Sequence, residues 1–246
     1  MSNPYFRFKQ FTVYHDRCAM KVGTDGVLLG AWVAIDSCAK SCKTATLKVE
    51  RILDVGTGSG LIALMLAQRC PSAKIDAIDI DEAAVEQARE NTQISKFKSQ
   101  ISNFVSRLQD WTPETKYDLV VSNPPYFQNS LKNPDKGREL ARHTDSLSFE
   151  ELITHSARLL TEHGRMALIL PAEAEDEIRT IAAAHAFCCT HITRVYSKVS
   201  KTARRILIVF SRQPSTFSPV EDSLILEDEK GGRSAAYSEL CKEFYL

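Results

Sequence analysis

From Arg51 onward, short apolar runs separated by amphipathic stretches organise the chain. The runs at residues 52–55, 75–79, 102–106 and 118–122 read as strands, and helices are predicted from Leu61, from Asp81 and near Leu108. On the second of these helices Ala84, Val85, Ala88 and Asn91 fall on one stripe. Strands alternating with helices form βαβ units, hence a parallel sheet with helices on both faces. A polar stretch follows at residues 129–145, long enough to suggest a functional or mobile loop. A helix at 149–161 leads through Gly164 into a strand at 165–170, and Pro171 opens another helix to about His185. Strands at 191–196 and 205–211 complete the sheet, and the tail adds an apolar segment at 224–226 and a helix ending in Phe244-Tyr245-Leu246. Before this alternation, residues 6–22 alternate apolar and polar positions around His15-Asp16-Arg17, which predicts a hairpin. A short helix then runs through Val27, Leu28, Leu29, Ala31 and Trp32, with Thr24 or Asp25 as its cap, before a polar linker at 36–48.

Length and composition narrow the field. A chain of 246 residues is one domain, or one with a small extension, and 43% hydrophobic and 25% charged residues suit a soluble fold. Thirty-one basic and 31 acidic residues cancel, so a nucleic-acid partner has to be held by a local patch and not by a broad basic face. No stretch approaches the ~20 apolar residues of a membrane span, and Met1-Ser2-Asn3-Pro4-Tyr5-Phe6-Arg7 lacks a signal-peptide core. These features predict a cytoplasmic protein without a membrane partner. Seven cysteines agree with a reducing compartment; Cys38 and Cys42 are too widely spaced for a CxxC pair, and Cys188-Cys189 lie in an apolar stretch, so no metal is expected.

Two motifs carry the chemistry. The first is Asp54-Val55-Gly56-Thr57-Gly58-Ser59-Gly60, a glycine-rich turn set between a strand and a helix. Glycines there allow positive φ and let a ligand approach the backbone with no Cβ in the way. The spacing departs from the dinucleotide fingerprint GxGxxG, although a dinucleotide remains a competitor for the turn taken alone. Asp79 ends the next strand, where a carboxylate can accept from both hydroxyls of a ribose. The second motif, Asn123-Pro124-Pro125-Tyr126, follows the apolar run at 118–122. Two prolines fix φ and remove two N–H donors, leaving a rigid acceptor site beside a stacking ring. The combination suits a flat target bearing an amino group. Taken by itself, the tetrad could equally be a proline-rich turn.

With these motifs in place, the chain resembles a class I S-adenosylmethionine-dependent methyltransferase, and more closely the bacterial tRNA1(Val) adenine N6-methyltransferase family. The resemblance rests on the two motifs and on the segments Phe8-Lys9-Gln10-Phe11 and His15-Asp16-Arg17-Cys18-Ala19-Met20-Lys21-Val22-Gly23-Thr24-Asp25-Gly26, with the closing Phe244-Tyr245-Leu246. It implies a Rossmann-like α/β fold with a seven-stranded, mostly parallel sheet at residues 49–246, and a small N-terminal hairpin extension at 1–48. It also implies S-adenosylmethionine as cofactor, held by Thr24, Asp54, Gly56, Gly58, Gly60, Asp79, Arg107, Leu108 and Asn123. Many relatives carry an acid after the third strand for the cofactor's adenine amine; here Arg107 stands near that place, which leaves the backbone of Arg107 or Leu108, or the side chain of Asp110, as substitutes.

Catalysis falls by the same resemblance to Asn123 and Pro124, as acceptors of the adenine amine's N–H bonds, and to Tyr126 as the stacking ring. No histidine base is demanded, and none of the six histidines is assigned. Lys136, Arg138, Arg142, Lys198, Lys201, Arg204 and Arg205 are the candidate phosphate contacts for a tRNA partner, each singly also readable as a solvated surface charge. A monomer or weak homodimer is expected. Glutamine N5-methylation of the release-factor type, methylation of a ribosomal adenine and a non-catalytic RNA-binding subunit stand as alternatives.

Overall fold

The runs Ile52-Leu53-Asp54-Val55 and Leu119-Val120-Val121 place buried groups on both faces of their strands, which therefore need cover on both sides. A computed structural model describes residues 3–34, 49–125, 147–213 and 218–246. It opens with a hairpin of β1 (Tyr5–Arg7) and β2 (Thr12–Tyr14), followed by α1 (Thr24–Trp32). The alternating half comprises β3 (Arg51–Val55), α2 (Leu61–Arg69), β4 (Lys74–Asp79), α3 (Glu82–Ile94), β5 (Ile101–Val105) and β6 (Tyr117–Ser122). After these come α4 (Phe149–Leu159), β7 (Leu160–Pro171), a 3-10 turn, α5 (Glu175–Ala184), β8 (Cys188–Tyr196), β9 (Ala203–Ser211), β10 (Val220–Ile225) and α6 (Ala235–Leu240).

One sheet of eight strands forms in the order β10-β8-β9-β7-β6-β3-β4-β5, with β9 running against its neighbours. Successive residues of a strand feed opposite cores. Ile52, Leu119, Val121, Ala167 and Ile169 face a core shared with the hairpin, α1, α2 and the C-terminal segment. Leu53, Val120, Met166, Leu168 and Leu170 face the other, covered by α4 and α5.

Four expectations are corrected. Among the described residues the sheet has eight strands, not seven, because the 224–226 segment extends into β10 and adds in parallel beside β8. The hairpin turns at residues 8–11 and not at 15–17: Phe8 N–H donates to the Phe11 carbonyl at 2.9 Å, and both rings are buried, with centroids 4.7 Å apart. The Phe8–Phe11 turn packs into the chain's end, where Lys9 N–H meets the Phe244 carbonyl at 2.8 Å. No helix forms near Leu108; residues 107–111 make a turn. Finally, α1 starts after Gly23 with no side-chain cap, and Asp25 instead receives Arg205 Nε at 2.8 Å. The linker with Cys38 and Cys42, and the polar stretch at 129–145, lie outside the described residues.

Helices α1 and α2 approach closely at Gly30, where an added Cβ would stand 2.7 Å from Met65 Sδ and 3.0 Å from Met65 Cβ. Met65 is fully buried and has little room to yield. Gly30→Ala should therefore cost roughly 1–3 kcal/mol of stability by overpacking, read as a lower denaturation midpoint with an unchanged urea slope. A variant as stable as the parent would show that this helix pair is not tightly packed.

Candidate active site

The two motifs meet because their strands are neighbours. In the β3–β6 pairing Val55 lies opposite Ser122, and Ser122 Oγ donates to the Val55 carbonyl at 2.8 Å. The glycine turn and Asn123-Pro124-Pro125 thus leave adjacent strands at the same level. Strand order also reverses here, with β4 and β5 on one side and β7 on the other. The carboxyl edge at such a reversal is where open α/β sheets leave a crevice for ligand.

Buried Asp54 shapes the turn from beneath. It is 0% exposed, and its Oδ2 accepts from Thr57 Oγ1 at 2.7 Å and from Ala63 N–H at 3.2 Å. Ala63 lies in the first turn of α2, whose N-terminal neighbour Gly60 offers no side-chain cap. Asp54 therefore satisfies an otherwise orphaned helix donor from nine residues upstream. Among the described residues its Oδ1 meets no partner. Burial pushes the carboxyl up to about 7, against the pull of the Thr57 and Ala63 bonds.

Gly56 and Gly58 have φ of 69° and 55°, and a Cβ at either would meet nothing within 4 Å. Open space faces the turn, and any other residue would be strained there. Gly56 and Thr57 N–H donate to the Ile78 carbonyl at 2.9 and 3.0 Å, and Gly58 N–H donates to Asp79 Oδ2 at 2.8 Å. Gly60, also at positive φ, has a different duty: its Cβ would stand 3.3 Å from Ala88 Cβ on α3.

A cavity of about 230 Å³ opens between these elements. Val55, Gly56 and Gly58 form one side, with Asp79, Ile80, Asp81 and Ala84 beside them. Ser106, Arg107, Leu108 and Gln109 form the next wall; Ser122, Pro124, Pro125 and Leu147 lie towards β6, and Cys18, Ala19 and Met20 complete the enclosure. Burial raises the Asp79 carboxyl above its ordinary value, while N–H groups of Asp81, Gly58 and Ile80 pull it back. Hydroxyl donors from a bound ribose would favour its charged form further. Burial, followed by the Asp79 and Asp81 carboxylates, pushes the Cys18 thiol up to about 11, which keeps it neutral. Bare backbone at Gly56 and Gly58, the Asp79 carboxyl on the wall and an otherwise largely apolar lining leave room for a nucleoside.

The wall after β5 is firmly clamped. Arg158 Nη2 on α4 donates to the carbonyls of Leu108, Gln109 and Trp111 at 3.4, 3.4 and 2.9 Å. Gln109 Nε2 donates to Glu151 at 3.1 Å, and Trp111 Nε1 to the Tyr117 oxygen at 2.9 Å.

Of the residues singled out from sequence, Gly56, Gly58, Asp79, Arg107, Leu108 and Pro124 stand on the cavity wall. Asn123 is half-buried between Ser122 and Pro124. Asp54 and Gly60 support the turn from behind, and exposed Thr24 starts α1 away from the wall. Asp110 is also off it. Tyr126, Lys136, Arg138 and Arg142 lie outside the described residues. Lys198, Lys201, Arg204 and Arg205 gather where β8 turns into β9, and Arg205 pairs in register with Pro171, the last residue of β7. That places them on the same edge as Asn123. Lys198 Nζ approaches Glu227 at 3.4 Å and Arg205 pairs with Asp25, while Lys201 and Arg204 are exposed. Sequence reasoning assigned nothing to Cys18, Ala19, Met20, Ile80, Gln109 or Leu147; only the apolar Ile80 directly after Asp79 gave a local signal.

The raised Asp54 carboxyl has a testable consequence. Because the folded state holds this proton more tightly than the unfolded chain, its contribution to stability is present below about pH 4 and is lost as pH rises through about 7. The loss should be roughly 1.4 kcal/mol per pH unit across that window. Asp54→Asn keeps an acceptor for Thr57 and Ala63 but cannot titrate, so its stability relative to the parent should climb from pH 4 to pH 7. Urea denaturation of both proteins at several pH values reads this, and a constant difference would contradict the assignment.

The family model of the methyltransferase small domain matches residues 36–183. A Parabacteroides distasonis protein named tRNA1(Val) (adenine(37)-N6)-methyltransferase is 47% identical, covering 100% of this chain and 99% of that one. Relatives of the same name from Phocaeicola vulgatus and Aeromonas salmonicida are 46% and 43% identical, each over at least 98% of both chains. Among solved structures, Atu636 from Agrobacterium tumefaciens, described as a predicted O-methyltransferase, superposes with a TM-score of 0.68 at 20% identity, covering 89% of this chain and 96% of that one. A ribosomal protein L11 methylase from Lactobacillus delbrueckii subsp. bulgaricus gives 0.52 at 20% identity and 77% of each chain. These two show the fold. With full-length identity well above 40% to several relatives, the chain belongs to the tRNA1(Val) (adenine(37)-N6)-methyltransferase family of S-adenosylmethionine-dependent enzymes.

Proposed function

We propose that this protein transfers a methyl group from S-adenosylmethionine to N6 of adenine 37 in tRNA1(Val). The observation that supports the reading is the side-by-side exit of the glycine turn and Asn123-Pro124-Pro125 from β3 and β6, with the cavity beside them. The cofactor would lie along Gly56, Gly58, Asp79 and the wall from Ser106 to Gln109, and it supplies an electrophilic methyl on a sulfonium.

The lone pair of an exocyclic adenine amine is delocalised into its ring and attacks poorly. Asn123 Oδ1 and the Pro124 carbonyl accept its two N–H bonds, which draws the nitrogen towards tetrahedral geometry and frees the lone pair. Fixed acceptors then stabilise the positive charge that develops on nitrogen as the N–C bond forms. Bound S-adenosylmethionine would supply the leaving group at its sulfonium, and one amine proton would pass to solvent. Proline at 124 and 125 holds these carbonyls without offering competing donors. Tyr126 is assigned the stacking ring for the base. Adenine has to leave its stack to reach such a site, which is least costly in a loop. Lys201 and Arg204, on the same sheet edge, would take backbone phosphates of the tRNA, with Lys136, Arg138 and Arg142 assigned the same part.

Asn123→Ala and Asp79→Ala should separate the two halves of the site. The first should lower kcat by roughly 10²–10³-fold with cofactor affinity within a few-fold. The second should weaken S-adenosylmethionine binding by about 10–100-fold. Calorimetry and single-turnover assays read both, and a near-normal kcat for Asn123→Ala would remove it from the mechanism.

Neutralising Lys201 together with Arg204 should weaken tRNA binding and lower its salt dependence by about two charges, with cofactor binding intact. Nucleoside mass spectrometry of tRNA from a deletion strain tests the substrate itself. N6-methyladenosine should vanish from tRNA1(Val); if it persists there while a protein glutamine or a ribosomal adenine loses a methyl group, the substrate assignment fails.

A further inference from the structure

We propose that the segment from His15 to Val22 is a fixed wall of the cofactor cavity and that Arg17 holds it in place, making Arg17 a positioning residue that sets how long S-adenosylmethionine stays bound. The proposal rests on the cofactor reading above. Cys18, Ala19 and Met20 complete a cavity whose other walls come from the sheet edge, the loops after it and the first turn of α3. They belong to no helix or strand, and Met20 is 52% exposed, so nothing intrinsic to the segment keeps it against the opening.

Its anchors are external. Upstream, Asn91 on α3 is 0% exposed and exchanges bonds with the Tyr14 backbone: its Oδ1 accepts from Tyr14 N–H at 2.9 Å, and its Nδ2 donates to the Tyr14 carbonyl at 2.8 Å. The same Nδ2 donates to the Ser59 carbonyl at 2.9 Å, tying β2 to the glycine turn. At the segment's two ends, Val22 N–H donates to His15 Nδ1 at 3.4 Å, and His15 Nε2 then donates to the Asn3 carbonyl at 3.0 Å. Between these anchors, directly before Cys18, Arg17 reaches across to α3. Its backbone N–H and its Nε both donate to Gln87 Oε1 at 3.4 Å, and its guanidinium pairs with Glu90 and approaches Glu86 at 3.9 Å.

Arg17 and Glu90 side chains are 38% and 59% exposed, so the pair adds little to the stability of the fold. Its effect falls on the three residues that follow. Loosening them would open a second exit from the cavity and remove contacts that the bound cofactor needs, which appears in the off-rate rather than in chemistry.

The test follows S-adenosylhomocysteine dissociation by stopped flow in the parent, Arg17→Ala, Glu90→Ala and the double variant. Each single variant should shorten residence by roughly five- to tenfold, and the double variant by no more than the larger single effect, because both act through one clamp. The KM for S-adenosylmethionine should rise by the same factor, with less than a twofold fall in saturated kcat and no change in tRNA affinity. Hydrogen exchange should quicken at residues 15–22 alone, and Arg17→Lys should recover part of the residence time. Unchanged residence in Arg17→Ala, or single effects that multiply in the double variant, would overturn the clamp. A parent protein that fails to bind S-adenosylhomocysteine would instead overturn the cofactor reading and the clamp with it.

Discussion

A single buried carboxyl at the junction of β3 and α2 sets the geometry on which the site depends. Asp54 is a strand residue by position and a helix cap by function, taking up Ala63 N–H where Gly60 can supply nothing. Its bond to Thr57 closes the turn over itself, and within that turn Gly56 and Gly58 hold the positive φ that bares their backbone to the cavity. The arrangement costs stability, since a carboxyl without solvent resists ionisation. The N-terminal dipole of α2 offsets part of that cost. Asp54 shapes the cavity from outside it, whereas Asp79, which also braces the turn through Gly58, stands on the wall and has further acceptor capacity for ligand.

From that turn, the sheet places the rest. A parallel strand delivers its last residue to one edge, so β3, β4 and β6 bring the glycine turn, Asp79 and Asn123 together without any contact between the motifs being needed in sequence. The antiparallel β9 then brings the basic β8–β9 connection back to the same edge, because a reversed strand begins where its neighbours end. A chain with zero formal net charge can in this way concentrate Lys198, Lys201, Arg204 and Arg205 on the same sheet edge as Asn123. Two of the four are partly engaged by Glu227 and Asp25, which narrows the basic face to Lys201 and Arg204 among the described residues.

What was legible in the sequence was whatever depends on local pattern. Strands β3 to β6, α2 and the start of α3 near Asp81 follow from apolar period, and the structure has them within a residue or two. The hairpin was placed too late because aromatic Phe8 and Phe11 read as strand positions, while in the fold they form the turn and are buried against the chain's other end. Strand β10 was read only as a short apolar segment because it is almost wholly exposed, with only Leu224 buried. Asn91 fell on the apolar stripe of α3 by position, and periodicity could not disclose that its amide is buried in order to bond Tyr14 and Ser59. The segment from Cys18 to Met20 carries no chemistry that announces a cavity wall; its place depends on contacts some 70 residues away in sequence.

The loop after β5 shows how rigidity can stand in for a charged side chain. Arg107 occupies the neighbourhood where an acid would accept from an adenine amine, and its own charge has the wrong sign for that duty. The proposed recognition by backbone groups at Arg107 and Leu108 would avoid the difficulty, but a backbone wall selects a base only if it is held still, since each freely moving residue adds an ordering cost on binding. The structure meets this requirement from three directions. Arg158 collects three carbonyls of the loop, Gln109 is fixed to Glu151, and Trp111 is tied through Tyr117 to Asp76 on β4. Tyr117 is wholly buried and donates to Asp76 at 2.7 Å, so the chain of bonds ends in the core, where displacement is costly. A side-chain acid could tolerate a looser loop, because charge acts over distance; the proposed backbone reader would depend on position alone, and the loop is anchored from both the helix layer and the sheet.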